Sequence, residues 1–356
     1  MGIEARKDDH IKIALHKDVS YRKTTWLEWV ELVHQAAPEI DPADISTETV
    51  FLGRKFSHPF IIESMTGGTS EAGKINANLA EAAAAFNVPM GVGSQRAGIV
   101  RPSTAQTFRV ARERAPEAFL IGNIGAVQLV ETGLEMALKA VSMIEADALA
   151  VHLNPLQEIV QPDGLARFKN LFKKIESLKR ELQVPIILKE IGCGLSKEVV
   201  ARADEAGVDA FDVAGSGGTN WTLIEMVRAE NVGDVEKKSL AEVFMEWGIP
   251  TAAAVLEAVH VTKKPVIASG GLRTGLDAAK ALALGASMAG LARPFLEPAT
   301  QSAEKVMRRL ESLSRELRTA MFLTSCERVE DLRRAPRVLL GPLREWFDSR
   351  ISHGSR

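Results

Sequence analysis

The sequence predicts an α/β fold: a closed (β/α)8 TIM barrel with an N-terminal extension and a C-terminal helical tail. Three observations carry this. Eight short apolar runs of strand length recur along the chain, amphipathic stretches of helical period lie between them, and polar or glycine-rich residues follow nearly every run at once. Alternation of strand and helix argues for a parallel sheet. Runs that are apolar throughout, and not at every second residue, argue for strands covered on both faces. Eight such units favour a closed barrel over an open doubly wound sheet. The chain has 356 residues, 46% of them hydrophobic. That is ample for one barrel with its own core, since barrels commonly run past about 250 residues.

Residues 1–55 precede the first run and read as an N-terminal extension. The runs are Phe60-Ile61-Ile62, Pro89-Met90-Gly91-Val92, Phe119-Leu120-Ile121, Ala148-Leu149-Ala150-Val151, Pro185-Ile186-Ile187-Leu188, Ala210-Phe211-Asp212-Val213, Pro265-Val266-Ile267-Ala268 and Ser287-Met288-Ala289-Gly290. They place the barrel over residues 56–299. The connection from Trp221 to Pro250 is long for a barrel and contains a helical stretch, Leu240 to Trp247, so it reads as a lid or an inserted element. Residues 300–356 form the tail. Within it, 300–325 reads as an amphipathic helix with Val306, Leu310, Leu313 and Leu317 on one face. The basic stretch Arg333 to Arg344 reads as a solvated face.

Composition excludes several classes. The net charge is −2 and the pI is near 6.4, which leaves no basic excess to neutralise a nucleic-acid backbone. Two cysteines, Cys193 and Cys326, make a disulfide framework unexpected and fit a reducing compartment. The segment Met1 to His10 is charged and lacks an apolar core, so no signal peptide is expected. No stretch approaches the roughly 20 apolar residues that span a bilayer. A cytoplasmic protein is the expectation.

Loops that follow barrel strands form the active face. Here they carry Glu63-Ser64-Met65-Thr66-Gly67-Gly68, then Gly93-Ser94-Gln95-Arg96, Gly122-Asn123, His152 with Asn154, Gln157 and Glu158, Lys189-Glu190, Gly215 to Asn220, Gly270-Gly271 and Ala292-Arg293. Any one of these could be a turn or a cap, but their convergence on one rim points to an enzyme. The segment Ser269 to Gly275 precedes a helical stretch, Leu276 to Leu284. Glycines admit a phosphate close to the backbone, a helix N-terminus offers free N–H groups, and the last two loops are the usual phosphate site of barrels. The loop Gly215 to Thr219 is a second candidate of the same kind.

Two motifs fail. Gly68 to Lys74 has P-loop spacing, but Ile75 stands where a hydroxyl must hold magnesium. No G-x-G-x-x-G follows an early strand, and no His/Cys cluster suggests zinc.

The stretch His152-Leu153-Asn154-Pro155-Leu156-Gln157-Glu158 is the richest chemically. His152 and Asn154 alternate, which puts them on one side of an extended backbone. Asn154 before Pro155 also reads as a helix cap. Glu158 is a hard oxygen ligand suited to magnesium, which takes one or two carboxylates plus substrate phosphates. Lys189 ends an apolar strand and needs an anionic partner there. An electron-rich oxygen of a flavin, a phosphate or Glu190 meets that need, although Glu190, being adjacent, points to the opposite face.

Together these motifs resemble a family. Arg6-Lys7-Asp8-Asp9-His10-Ile11, Ser64 to Gly68, Gly93 to Arg96, Gly122-Asn123, His152 to Glu158, Lys189-Glu190, Gly217 to Trp221 and Gly270 to Gly275 are similar to those of type 2 isopentenyl-diphosphate isomerases. The likeness runs from about residue 6 to Pro294-Phe295-Leu296. The glycine-rich loops are shared with other FMN barrels, whereas the Arg-Lys start and the His152 to Glu158 stretch are far more specific.

The resemblance implies reversible interconversion of isopentenyl and dimethylallyl diphosphate by 1,3-proton transfer, with reduced FMN, Mg2+ and NADPH or NADH as reductant. It assigns FMN contacts to Ser64, Met65, Thr66, Gly67, Ser94, Asn123, Lys189 and Thr219, and the FMN phosphate to Gly271, Leu272, Arg273, Ala292 and Arg293. Arg6, Lys7, Ser94, Gln95, Arg96, His152, Asn154 and Gln157 meet the diphosphate substrate, Glu158 meets the metal, and Gln157, His152 and Lys189 serve catalysis. Ala214 stands where family members often carry a serine that helps to bind flavin. A homo-oligomer, a tetramer or octamer, is also implied, with the N-terminal arm over its own site or a neighbour's. Two other readings stand beside this one: an FMN-dependent 2-hydroxyacid oxidase or dehydrogenase, and a non-catalytic flavin-binding protein. The first needs a His/Arg pair, and only Lys263 and Lys264 lie just before Gly270.

Overall fold

The computed structural model describes residues 3–352, with side chains from residue 6. Residues 1–2 of the expected extension and 353–356 of the expected tail lie outside the described residues. Eight parallel strands close a barrel: β1 Phe60–Ile62, β2 Met90–Gly91, β3 Leu120–Gly125, β4 Ala148–His152, β5 Ile186–Lys189, β6 Ala210–Asp212, β7 Val266–Ala268 and β8 Met288–Leu291. Every apolar run of the sequence supplies one strand, in order, and β8 pairs back onto β1 through Gly290 and Ile61.

Burial on both faces explains the unbroken apolar runs. Residues of one parity, Ile61, Ile121, Ala150, Ile187, Ile267 and Met288, fill the barrel interior. Residues of the other parity, such as Phe60, Ile62, Leu149, Leu188 and Phe211, face the helices that surround it. The hairpin of Thr49–Phe51 and Arg54–Phe56 closes the bottom by pushing Phe51 and Phe56 into the interior core, with Phe56 edge-on to Phe119 at 5.5 Å.

The extension begins with a helix, Ile3–His16. Its Ile13, with Val19, packs on Ile224 and Val227 of the helix Trp221–Val232. The chain then crosses the loop after β6, where Tyr21 N–H donates to Gly218 (3.0 Å) and Asn220 N–H donates to Val19 (2.7 Å). The strand Val30–Leu32 pairs antiparallel with Arg337–Leu339, so extension and tail hold each other.

Two expectations need correcting. The helix expected over Leu240 to Trp247 is Val235–Phe244, begun by an Asp234 side-chain cap on Lys237 N–H, and it ends before Trp247. The basic stretch after Arg333 is partly structural: Arg333 donates to Ala286 O and Ser287 Oγ. The tail helix Ala303–Leu323 has Val306, Leu310, Leu313 and Leu317 wholly buried, as its periodicity required. Both cysteines are free, and no helix among the described residues is long and apolar enough to cross a membrane.

Candidate active site

Above the strands' C-terminal ends lies a cavity of about 230 Å³. Strand parity dictates its floor. Two residues beyond the interior-facing Ile61, Ile121, Ala150, Ile187 and Ile267 come Glu63, Asn123, His152, Lys189 and Ser269, and all five line the cavity.

Lys189 is buried there and has found carboxylates. Its ammonium donates to Asp212 Oδ2 (2.6 Å), Glu63 Oε2 (3.3 Å) and the Glu190 carbonyl (3.2 Å). These contacts occupy all three of its N–H donors. Burial alone would depress Lys189, but Asp212 and Glu63 outweigh it and hold the amine above its ordinary value. Neither partner was named from the sequence. Glu190, the candidate that was named, turns its carboxylate away as strand alternation requires. It accepts the backbone N–H groups of Ile191 and Gly192 at 2.7 Å each.

His152 Nδ1 lies 2.7 Å from Asn123 Oδ1. The Asn123 amide nitrogen donates to Val92 O (3.1 Å), so its oxygen accepts from His152 Nδ1–H, and Nε2 is left as an acceptor. Burial first, then the charges of Lys7 and Lys189, hold His152 down at about 3. The ring is neutral throughout the physiological range.

The helix Pro155–Val160 starts after Asn154 with proline at its first position, as expected, but the Asn154 side chain does not cap it. Instead Asn154 Nδ2 donates to Gln157 Oε1 (3.1 Å) and Glu158 Oε1 (3.0 Å). Glu158 Oε2 accepts from Gln161 Nε2 and Leu165 N–H, both at 2.8 Å. Gln157 Nε2 donates to Glu225 Oε1 at 2.9 Å.

The N-terminal helix lies over the mouth of its own barrel and lines it with Arg6, Lys7, His10, Ile11 and Ala14. His10 Nε2 meets Glu225 Oε1 at 2.9 Å, and its ring stands edge-on to Trp221. Glu225 also pairs with the buried Arg228. Burial opposes the Glu225 charge, but His10, Arg228 and Gln157 prevail and keep it at about 2. Lys7 is drawn down to about 8, by burial first and then by Arg6 and Arg96. Three cations crowded into a partly dry mouth fit a polyanion such as a diphosphate.

The loops after β6 and β7 touch backbone to backbone. A Cβ on Gly218 would sit 2.4 Å from Gly271 N, and Gly271 itself has φ +87°, so both positions demand glycine. Beyond them the helix Gly275–Ala283 opens with a reciprocal cap between Thr274 and Asp277. Burial, and then Arg293, hold Arg273 below its ordinary value. Ser216 Oγ is buried without a partner among the described residues. Close backbones and two neighbouring guanidiniums suit a phosphate of a bound nucleotide. Ala214, the alanine in place of a serine, takes a left-handed φ of 37°.

Two expected contacts are not in the cavity. Gln95 is fully buried; it donates to Ala140 O (2.8 Å) and accepts from Asn123 N–H (2.9 Å), so it braces Asn123 and does not reach a substrate. Gly67 turns to Phe108, whose ring a Cβ would meet at 2.0 Å. Ser64, Met65, Thr66, Ser94, Arg96, Asn123, His152, Asn154, Gln157, Glu158, Lys189, Thr219, Gly271, Leu272, Arg273, Ala292 and Arg293 line the cavity with Arg6 and Lys7. Sequence reasoning gave no role to Glu63, Asp212 or Glu225. For the first two the signal was available: each lies two residues past an inward apolar position. Among the described residues no group of three or more His, Cys, Asp or Glu side chains forms a metal cage.

Comparison with known proteins agrees with this geometry. A family model described as FMN-dependent dehydrogenase matches residues 161–338. The chain is 48% identical to an isopentenyl-diphosphate delta-isomerase of Thermococcus kodakarensis, over 97% of this chain and 94% of the relative. It is 46% identical to that of Archaeoglobus fulgidus, over 98% and 100%, and 48% identical to that of Halobacterium salinarum, over 98% and 97%. Among solved structures, mandelate oxidase with (S)-2-phenylpropionate superposes with a TM-score of 0.63 over 94% of this chain and 97% of that one. At 20% identity that likeness speaks for the fold alone.

Proposed function

Because the chain belongs to the FMN-dependent isopentenyl-diphosphate delta-isomerases, we propose that the cavity holds FMN on its floor and an isoprenoid diphosphate under the N-terminal helix, and moves the substrate's double bond by 1,3-proton transfer. The observation that carries this is the grouping of the cavity's basic side chains into two clusters, each suited to an anion. Arg273, Arg293 and the glycine loops form one, and Arg6, Lys7 and Arg96 form the other.

Reduced FMN, when bound, supplies through N5 an acid and base able to act on an unactivated alkene, which no side chain here can protonate alone. The chain's own residues position and insulate. Ser64 to Thr66, Ser94, Asn123 and Thr219 face the flavin, and Lys189 supplies positive charge at the floor. Arg6, Lys7 and Arg96 fix the diphosphate, so the reacting carbons are held in one place. His152, neutral, offers Nε2 as an acceptor, and Asn154 holds Gln157 and Glu158 in register. Gln157 hands its amide to Glu225 and so can orient or relay a proton without being a strong acid.

Glu158 supports the magnesium reading. Its oxygens accept three hydrogen bonds within the protein, and a carboxylate has about four lone-pair sites. A cation there completes its shell with phosphate oxygens and water, as magnesium commonly does. NADPH or NADH is the proposed reductant, with no net redox change per cycle. A homo-oligomer in a reducing cytoplasm is proposed with these, supported by the free thiols. Isopentenyl diphosphate supplied with FMN, Mg2+ and NADPH under anaerobic conditions should yield dimethylallyl diphosphate. Flavin bound but no product, or product without flavin, would overturn the reading.

A further inference from the structure

The proposed function uses Lys189 but gives no task to the two carboxylates around it. They come from distant strands: β6, which carries Asp212, adjoins β5, whereas β1, which leads to Glu63, lies on the opposite side of the barrel from β5. Asp212 is well satisfied, by Lys189 at 2.6 Å and by the Ser269 hydroxyl. Glu63 is not. Its Oε2 is 3.3 Å from Lys189, and its Oε1, buried, has no partner among the described residues. The barrel nevertheless makes room for that oxygen, since a Cβ on Gly290 would lie 2.2 Å from it. Beside the cluster is a second cavity of about 10 Å³, lined by Glu63, Asp212, Lys189, Ser64 and Gly91. Its remaining walls are the apolar interior residues Ile61, Ile121, Ala150, Ile187 and Ile267, and it is about large enough for one water held by the polar side chains above.

One ammonium faces two carboxylates, so the fully ionised cluster holds an uncompensated buried negative charge, which is costly. Burial and Asp212 push Glu63 up to about 7 against the pull of Lys189, so Glu63 is the member near its balance point. The other strands that face it bring no further charge: β8 presents Gly290, β2 Gly91, β7 leads to Ser269, and β4 ends in the neutral His152.

We propose that Glu63 is the proton acceptor of this cluster: when negative charge arrives on a ligand at the cavity floor, as it does when the bound flavin is reduced, Glu63 takes up one proton from solvent and releases Lys189 to face the new charge. The inference rests on the FMN reading above. The reductant delivers two electrons and one hydrogen to the flavin. The additional proton comes from solvent: one O–H bond of hydronium breaks as one O–H bond forms on Glu63, a water is left in solvent, and no covalent bond of the protein breaks. Glu63 also lines the main cavity, which gives the proton its route from solvent, and the new O–H adds a donor to the cluster. Reduction thereby leaves the total charge of the buried site unchanged.

The test is reduced-minus-oxidised infrared difference spectroscopy of the FMN-loaded full chain at pH 8, in an electrochemical cell, in H2O and D2O. The wild type should gain the C=O stretch of a protonated carboxylic acid on reduction, shifted in D2O and missing from Glu63→Gln. Asp212→Asn, which removes the like charge, should lose the band at the same pH. A flavin that bleaches with no such band in the wild type overturns the inference, and that arm needs no variant to fold. A band that persists in Glu63→Gln also overturns it, by placing the proton elsewhere. A chain that takes up no FMN, seen as a colourless protein, refutes the cofactor reading itself, and the inference falls with it.

Discussion

Glu225→Gln tests how the N-terminal helix is held over the site. Glu225 is fully buried and joins three elements: His10 of the N-terminal helix, Gln157 of the segment after β4, and Arg228 one turn along its own helix. The carboxyl is held at about 2 against an ordinary 4.5. At about 1.4 kcal/mol per pH unit, that gap corresponds to about 3 kcal/mol of stability at neutral pH. The amide keeps the shape but removes the charge, leaving the buried Arg228 with Asp9 at 3.8 Å as its nearest carboxylate. A depressed carboxyl stabilises above its unfolded value and loses that contribution as pH falls through its folded value. The difference between wild type and variant, from urea unfolding, should therefore reach up to about 3 kcal/mol and be flat from pH 7 to 8, where His10, held by burial below its ordinary 6.5, is neutral. Limited proteolysis should cut first within residues 3–16. A difference under about 1 kcal/mol would refute the reasoning. So would one that changes between pH 7 and 8, where neither Glu225 nor His10 changes its charge.

Four further outcomes follow from the site. Lys7→Met should weaken binding of inorganic pyrophosphate by about tenfold to a hundredfold, the range expected for one lost charge-assisted hydrogen bond, and isothermal titration would measure it. In the wild type the same affinity should fall as pH rises through about 8, because Lys7 is charged below that value and the anion gains only from the charged form. Glu158→Gln should raise the magnesium requirement by about tenfold or more while the FMN-to-protein ratio stays unchanged; an unaltered Mg2+ titration would remove its metal role. Gly218→Ala, which drives a Cβ to 2.4 Å from Gly271 N, should give protein that folds by circular dichroism but retains little FMN, and full yellow colour after dialysis would contradict the cradle.

Much of the fold was legible because the barrel's periodicities are local. A strand buried on both faces reads as an apolar run, and all eight runs became strands. The tail helix was legible for the same reason, since Val306, Leu310, Leu313 and Leu317 report its buried face directly. The N-terminal helix was not. Its sequence, IEARKDDHIKIALH, is dominated by charge, and one face lines the cavity with Arg6, Lys7 and His10. Hydrophobic pattern finds helices with a broad apolar face, and among the described residues this one buries only Ile11 and Ile13 amid its charges. The helix of Val235–Phe244 was misplaced toward Trp247 because its start is set by an Asp234 side-chain cap, a stronger boundary than the apolar residues farther on.

The site residues divide along a similar line. Many of the side chains that line the cavity sit just after strands, and chain position marked those. Gln95 shows the limit: it is in the right loop, yet one residue's rotation about the chain turns it inward to brace Asn123. Pairings across the barrel are harder still. Lys189 and Asp212 are register partners on adjacent strands, so counting by twos from Ile187 and Ala210 is enough to bring them together. Glu63 reaches Lys189 from the opposite wall, and whether two such side chains share a layer depends on how the closed sheet is staggered. No single strand records that stagger. The cluster is therefore a property of closure: shifting one strand by two residues would preserve every apolar run and every inward face, yet leave Lys189 with one carboxylate and the floor of the site with a different charge.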